Sequence, residues 1–310
     1  SCKVLYQPYF PVFKEIDVLI RSRLGRDELE RLPLGATGYL RYFEEIDPND
    51  IVLNKASIDV IKSFYQDHIA DFQQKESPGG AFFQHMLQGL RPANLPDIWQ
   101  FLFTSIDDYF DGVYQYMGFK ELFIIQHFPL ISQFDRDVKL LCLMRDPREI
   151  YFSRLGPRYG KARHPVLMVA DIWKQYAQNL LYLIKNYPNA TLVRYDDFSN
   201  VEFMQKLFEQ LGCVQPLSDM DWKVNTSGND NRPGYGKRWV EEMPEQYIAV
   251  IEKICWKEME AFGYQLNGNL RTLLNYEEDF SDVLEWARLE KYASFANFRK
   301  LGDYEFEYEA

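Results

Sequence analysis

Arg145 and Ser153 stand eight residues apart, about two turns of an α-helix. Pro147 lies between them and suits the first turn of a helix, where its missing N–H costs nothing. A guanidinium, a helix N-terminus and a hydroxyl gathered on one face make an anion site, most naturally for a phosphate. The same Arg145-Asp146-Pro147-Arg148 turn also reads as a plain strand-to-helix connection with solvated charges. Three further stretches offer chemistry. His127 follows the apolar run Leu122–Ile125 and is a candidate for proton transfer. Lys55 and Ser57 sit between a short apolar run, Ile51 to Leu53, and a helix-like run from Ile58 to Phe72. Strand, short loop with lysine and serine, then helix is the layout of a phosphate-binding first βα turn, although Lys55 also reads as a solvated residue at the start of a helix. Finally, Asn229 to Trp239 is a glycine-rich basic loop that includes Arg232 and Gly234.

The elements that must carry these residues are strands ending in polar groups. Leu122–Ile125 and Val138–Met144 are each short enough to be buried strands, and ligands in parallel α/β sheets bind beyond the carboxyl ends of such strands. Asn189 to Phe198 reads as a third strand running into charge, at Arg194-Tyr195-Asp196-Asp197. Helical periodicity follows over Met168–Tyr187, with Ile172, Trp173, Tyr176, Leu180 and Ile184 on one face. A helix over Val201–Leu211 should stop at Gly212, and a late helix over Glu245–Phe262 at Gly263. Strands alternating with helices point to a parallel sheet.

Several of these segments resemble the cytosolic-type, PAPS-dependent sulfotransferase family. His127-Phe128-Pro129-Leu130 is similar to the family's THLP segment, which carries its catalytic histidine. Arg145 through Ser153 resembles RDPRDVxxS, whose arginine and serine bind the 3′-phosphate of 3′-phosphoadenosine 5′-phosphosulfate. The stretch around Arg194-Tyr195-Asp196-Asp197-Phe198 resembles xLxxRYEDL, where the tyrosine, here Tyr195, contacts the adenine end. The loop from Asn229 to Trp239 resembles RKGxxGDWK, which closes over the nucleotide; Arg232 and Gly234 match, while Pro233 replaces the lysine. Lys55 falls on the lysine of the YPKSGTTW loop that holds the 5′-phosphosulfate. There, however, Ala56, Ser57, Ile58 and Asp59 replace Ser, Gly, Thr and Thr, so the glycine that permits close backbone approach is missing. Pro33 to Leu40 is an alternative to that loop, with glycine and threonine but no lysine.

The resemblance implies a three-layer α/β/α fold with a central parallel sheet, related to the P-loop NTPases, and sulfuryl transfer from PAPS to a hydroxyl or amine of a small-molecule acceptor. It implies His127 as general base, Lys55 stabilising charge on the leaving phosphate, and Lys55, Ser57, Arg145, Ser153, Tyr195, Arg232 and Gly234 holding the co-substrate, with no metal. Two rivals stand beside it. A nucleotide-binding or scaffolding protein that has lost transfer chemistry accounts for the altered first loop and for Ile125 where the family has a lysine. A nucleotide kinase shares the strand-loop-helix site but lacks its GxxxxGK[ST] loop here.

Composition bounds the rest. The chain has 310 residues, 46% of them hydrophobic, enough for a real core. A net charge of −11 argues against general binding to nucleic acid or anionic membrane. Cys2, Cys142, Cys213 and Cys255 form no ligand pattern, and His68 and His85 have no partner at ligand spacing. The absence of an 18-residue apolar run or a signal-like start gives the expectation of a cytoplasmic protein without a membrane span. Residues 1–267 read as a single domain, with 1–50 and 73–120 covering an apolar or aromatic acceptor. Residues 268–310 read as an extension, in which an amphipathic stretch from Phe280 to Phe298 packs on the body or on a second subunit of a homodimer, ahead of an acidic tail.

Overall fold

A computed structural model describes residues 2–6, 9–23, 40, 43–73, 80–110, 116–121, 124–155, 166–212 and 238–267. The chain is mixed α/β and mostly helical, and it divides into two compact units, Ser1–Leu29 with Gly38–Val138, and Glu30–Thr37 with Lys139–Ala310.

In the first unit, strand β1 (Cys2–Tyr6) pairs in parallel with β4 (Tyr116–Lys120), Cys2 opposite Tyr116 and Tyr6 opposite Lys120. Helix α1 (Phe10–Arg23) buries Val12, Phe13, Ile16 and Ile20, the stripe expected of a 3.6-residue period. Strand β2 (Val52–Leu53) leads directly into α2 (Lys55–Gln73) and pairs antiparallel with β3 (Ala93–Asn94). Helices α3 (Gly80–Gly89) and α4 (Leu95–Phe110) follow. The core is aromatic. Tyr9 meets Phe119 edge-on at 4.9 Å, Tyr65 stacks on Phe83 at 5.0 Å, and Trp99 donates its indole N–H to Asp135 at 2.7 Å while packing on Phe119.

The run expected as a strand over Leu122–Ile125 is not one. Its described part belongs to helix α5 (Ile124–Ile131), and the strand lies earlier, at β4. A short apolar run carries no period that separates a buried strand from a buried helix, and α5 is buried over all of Gln126–Ile131.

In the second unit, β5 (Leu140–Met144) pairs in parallel with β6 (Ala190–Arg194), and Met144 lies opposite Arg194 at their carboxyl ends. Helix α6 (Pro147–Leu155) starts three residues after β5. Helix α7 (Val166–Asn186) turns Val169, Ala170, Trp173, Ala177, Leu180 and Leu183 inward. Helix α8 (Val201–Gln210) is capped by Asn200, whose side chain accepts the Phe203 N–H at 3.1 Å. It ends at Gly212, whose φ of 79° is the left-handed conformation a C′ glycine supplies. After the short α9 (Arg238–Glu242), α10 (Glu245–Ala261) packs along α7, with the Cys255 thiol donating to the Ala170 carbonyl at 3.2 Å, and it buries Ile251 and Met259.

Among the described residues the strands form three separate two-stranded pairings, two parallel and one antiparallel, where one central parallel sheet was expected. Within them no helix is long and apolar enough to cross a membrane.

Candidate functional site

The carboxyl ends of β5 and β6 bring two of the expected residues together. Arg145, directly after β5, places its guanidinium over the Tyr195 ring, 4.7 Å from the centroid, and Tyr195 opens the 3-10 segment Tyr195–Ser199 directly after β6. The parallel register makes this contact, because it sets Met144 beside Arg194 and so the next residue of each strand beside the other. The Arg145 carbonyl accepts the indole N–H of Trp173 at 2.9 Å, fixing the turn to α7. Arg194 forks onto Asp197 at 2.8 and 2.7 Å, which holds the 3-10 segment against its strand.

Carboxylates crowd this arginine. Glu149, four residues on in α6, accepts from Arg145 Nε at 3.0 Å; its side chain is 5% exposed against 31% for Arg145. Burial raises the Glu149 carboxyl to about 7, while the hydrogen bond and charge of Arg145 pull it down and Asp196 and Asp146 push it up. Burial, with Asp146 next, also raises Asp196. Among the described residues the terminal nitrogens of Arg145 donate no hydrogen bond, and its side chain is 31% exposed.

Asp146 closes the helix N-terminus that the sequence offered to an anion. Its Oδ1 accepts the Arg148 N–H at 2.8 Å and its carbonyl accepts the Ile150 N–H, so it is the N-cap of α6. Arg148 has no part in a surface site. It is buried, bonded to Asp146 at 3.0 and 2.6 Å, to Glu252 and to the Gln265 carbonyl, with its guanidinium 4.1 Å from the Trp239 ring. Ser153 is exposed, and its hydroxyl donates to the Ile150 carbonyl of its own helix at 2.8 Å.

The remaining expected residues belong to the first unit or lie outside the described residues. Lys55 is exposed at the start of α2. Ser57 is already inside that helix and buried, and its N–H donates to the Asn54 side chain at 3.1 Å. Asn54 therefore does for α2 what a bound phosphate does for a glycine loop, and it does so from within the chain. His127 lies in α5, not at the end of a strand. It is 1% exposed, and its ring sits 5.6 Å from Phe13 and 5.5 Å from Phe43, nearly parallel to the latter. Arg232 and Gly234 lie outside the described residues.

Sequence reasoning passed over Glu149 and Asp146. Their signals were present: an Arg–Glu pair at i,i+4, and an acidic residue directly before a helix-starting proline.

No family model matches the chain, and no curated protein matches it. Among solved structures it overlaps one described as "Sulfotransferase Domain from the Curacin Biosynthetic Pathway" at 12% identity, over 86% of this chain and 98% of that chain, with a TM-score of 0.38. A superposition that loose does not establish a common fold.

Proposed function

We propose that the protein binds an adenosine nucleotide bearing a 3′-phosphate and transfers a sulfuryl group from 3′-phosphoadenosine 5′-phosphosulfate to a hydroxyl or amine of a small, apolar or aromatic acceptor. The observation that carries this reading is the Arg145–Tyr195 contact at the carboxyl ends of two paired parallel strands. A guanidinium with an open edge, backed by an aromatic ring, suits a phosphate beside a purine, and these are the two residues that the sulfotransferase resemblance assigns to that end of the nucleotide. The reading takes the fold to be the family's three-layer sheet fold.

When bound, the co-substrate supplies an activated sulfuryl group. Within this reading Arg145 anchors the 3′-phosphate, with Ser153 turning its exposed hydroxyl from the Ile150 carbonyl to the ligand, and Arg232 and Gly234 add the further contacts that the resemblance assigns to them. Tyr195 meets the adenine end. Lys55, exposed at the start of α2, brings an ammonium to the 5′-phosphate, and Ser57 belongs to the same turn. His127 accepts the acceptor's proton, which requires the acceptor to reach a ring buried between Phe13 and Phe43. None of these roles calls for a metal.

A second reading has specific support: nucleotide binding without transfer. The buried His127 ring and the Asn54 cap on α2, which already uses the Ser57 N–H, both favour it.

The test is calorimetric titration with adenosine 3′,5′-bisphosphate and with AMP. The bisphosphate should bind more tightly, and Arg145→Ala should remove most of the difference, since a charge-assisted hydrogen bond contributes on the order of 1.5–3 kcal/mol. Equal binding of the two ligands would discard the site. Tight bisphosphate binding with no sulfuryl transfer to a panel of phenols, alcohols, amines and sugars would select the second reading.

A further inference from the structure

The strongest unexplained feature of the Arg145 site is the acid built into it. An arginine meant to hold a phosphate already carries a carboxylate, on the same helix, buried where water cannot relieve its charge. We propose that Glu149 is the proton-linked regulator of anion binding at Arg145: a phosphate that docks on the open edge of the guanidinium drives Glu149 to take up one proton from solvent. This inference rests on Arg145 being the phosphate anchor.

The argument is geometric first. Glu149 Oε2 holds Arg145 Nε at 3.0 Å, and the Tyr195 ring covers a face of the same guanidinium at 4.7 Å. The arginine is therefore fixed on two sides, and a ligand must approach along the remaining edge. A phosphate monoester there is a dianion above its second pKa of about 6. Carboxylate and phosphate would then share one positive charge across one guanidinium, a few ångströms apart and partly desolvated, and two such anions do not both stay fully ionised.

The groups facing Glu149 sharpen this. Arg145 approaches from the end of β5, Asp146 from the turn before α6, and Asp196 from the 3-10 segment after β6; Tyr264, beyond α10, is also within electrostatic reach. Arg145 is the cation among them, while Asp146 and Asp196 add negative charge. Burial already holds the Glu149 carboxyl at about 7, and the Arg145 contact is what keeps it that low. Adding a dianion to that arginine weakens the contact and moves the carboxyl further up.

The sign follows. Below about pH 7 Glu149 is protonated with or without ligand, and binding carries no proton with it. Above that, the free protein holds Glu149 ionised and the complex holds it protonated. Affinity then falls by up to about tenfold per pH unit until the carboxyl of the complex itself ionises. Glu149 thus admits the phosphate most readily on the acid side of neutrality.

The experiment is calorimetry of the full chain with adenosine 3′,5′-bisphosphate at pH 6.5 and 8, in two buffers of different ionisation enthalpy, which counts protons exchanged. The wild type should take up close to one proton at pH 8 and markedly less at pH 6.5. Glu149→Gln, similar in size but unable to ionise, should take up none at pH 8 and bind there about tenfold more tightly than the wild type. Zero uptake by the wild type at pH 8 overturns the proposal and needs no variant, so a Glu149→Gln protein that fails to fold does not shield it. Weaker binding by a folded Glu149→Gln protein also overturns it, and shows Glu149 to be a support for Arg145. Arg145→Ala separates the two levels. If that variant binds the bisphosphate as the wild type does, the anchor assignment itself fails; if it loses binding while the wild type takes up no proton, only the inference about Glu149 fails.

Discussion

Arg145 and Arg148 share one turn and have opposite roles. Arg148 is buried against Asp146 and Glu252 and stacked on Trp239, which leaves it no capacity for a ligand and makes it a structural tie between α6 and α10. Arg145 keeps an exposed edge, with one carboxylate and one ring for company. A motif quoted as a string weights both arginines alike; burial separates them. The same distinction makes His127 the residue whose role most needs a direct test. A general base has to reach the proton it removes, and this ring is packed between two others inside α5. His127→Gln is close in volume and leaves both neighbouring rings in place. If His127 is the base, this variant should lose sulfuryl transfer by at least about 10²-fold while its affinity for adenosine 3′,5′-bisphosphate stays within about twofold. Turnover retained in His127→Gln would make the histidine part of the aromatic core and move the base elsewhere.

At the scale of elements, the second unit was the more legible in sequence. Val138–Met144 ends in a charged turn and is followed by a proline-started helix, and β5 and α6 stand there. Gly212 closes α8 as its position suggested. The first unit was harder to read, because its strand β4 (YMGFK) carries glycine and little β-branching, whereas the more apolar run after it forms helix α5. Asn54 and Asp146 each stand directly before one of the two helices read as phosphate sites, a signal in residue type, but that each side chain turns back to cap its helix depends on its rotamer, which the sequence does not show. Glu121, passed over as well, shows what such details do to stability. It follows β4 and accepts the Tyr9 N–H at 2.6 Å just ahead of α1, so it links a strand end to a helix start. Burial raises its carboxyl to about 8, against the opposing pull of the Tyr9 N–H and of Lys120. A carboxyl raised on folding stabilises fully below its unfolded value near 4.5 and loses that contribution as pH rises through the folded one. Unfolding free energy should therefore fall by up to about 1.4 kcal/mol per pH unit on the way from 4.5 to 8. Glu149, raised to about 7, titrates over part of the same range, so the contribution of Glu121 is the difference between the wild-type slope and the Glu121→Gln slope from pH 7 to 8. Glu121→Gln keeps an oxygen for the Tyr9 N–H and should flatten urea-denaturation stability over that interval. An unchanged slope would mean that Glu121 is ionised in the folded protein.

For the whole molecule the constraint is charge. The motif residues are divided between the units, with Lys55 and His127 in the first and Arg145, Ser153 and Tyr195 in the second. The chain carries 46 acidic residues against 35 basic ones. On the proposed reading, a trianionic or tetra-anionic nucleotide approaches a protein whose net charge repels it at long range and is attracted only close to Arg145, where Glu149, Asp146 and Asp196 offset much of even that attraction. Salt acts on these two effects unequally. The Debye length shrinks from about 30 Å at 0.01 M to about 8 Å at 0.15 M, which removes the distant repulsion, whereas a contact at hydrogen-bond range is screened far less. Association of adenosine 3′,5′-bisphosphate, followed by stopped-flow fluorescence, should accordingly speed up, by about two- to fivefold, between those two salt concentrations. A protein built to collect anions by steering shows the opposite dependence, with its fastest association at low salt. If association here slows as salt is added, the field that the nucleotide meets is cationic despite the net charge of −11, and the basic residues in the sequence from Asn229 to Trp239, Arg232, Lys237 and Arg238, are the ones to neutralise next.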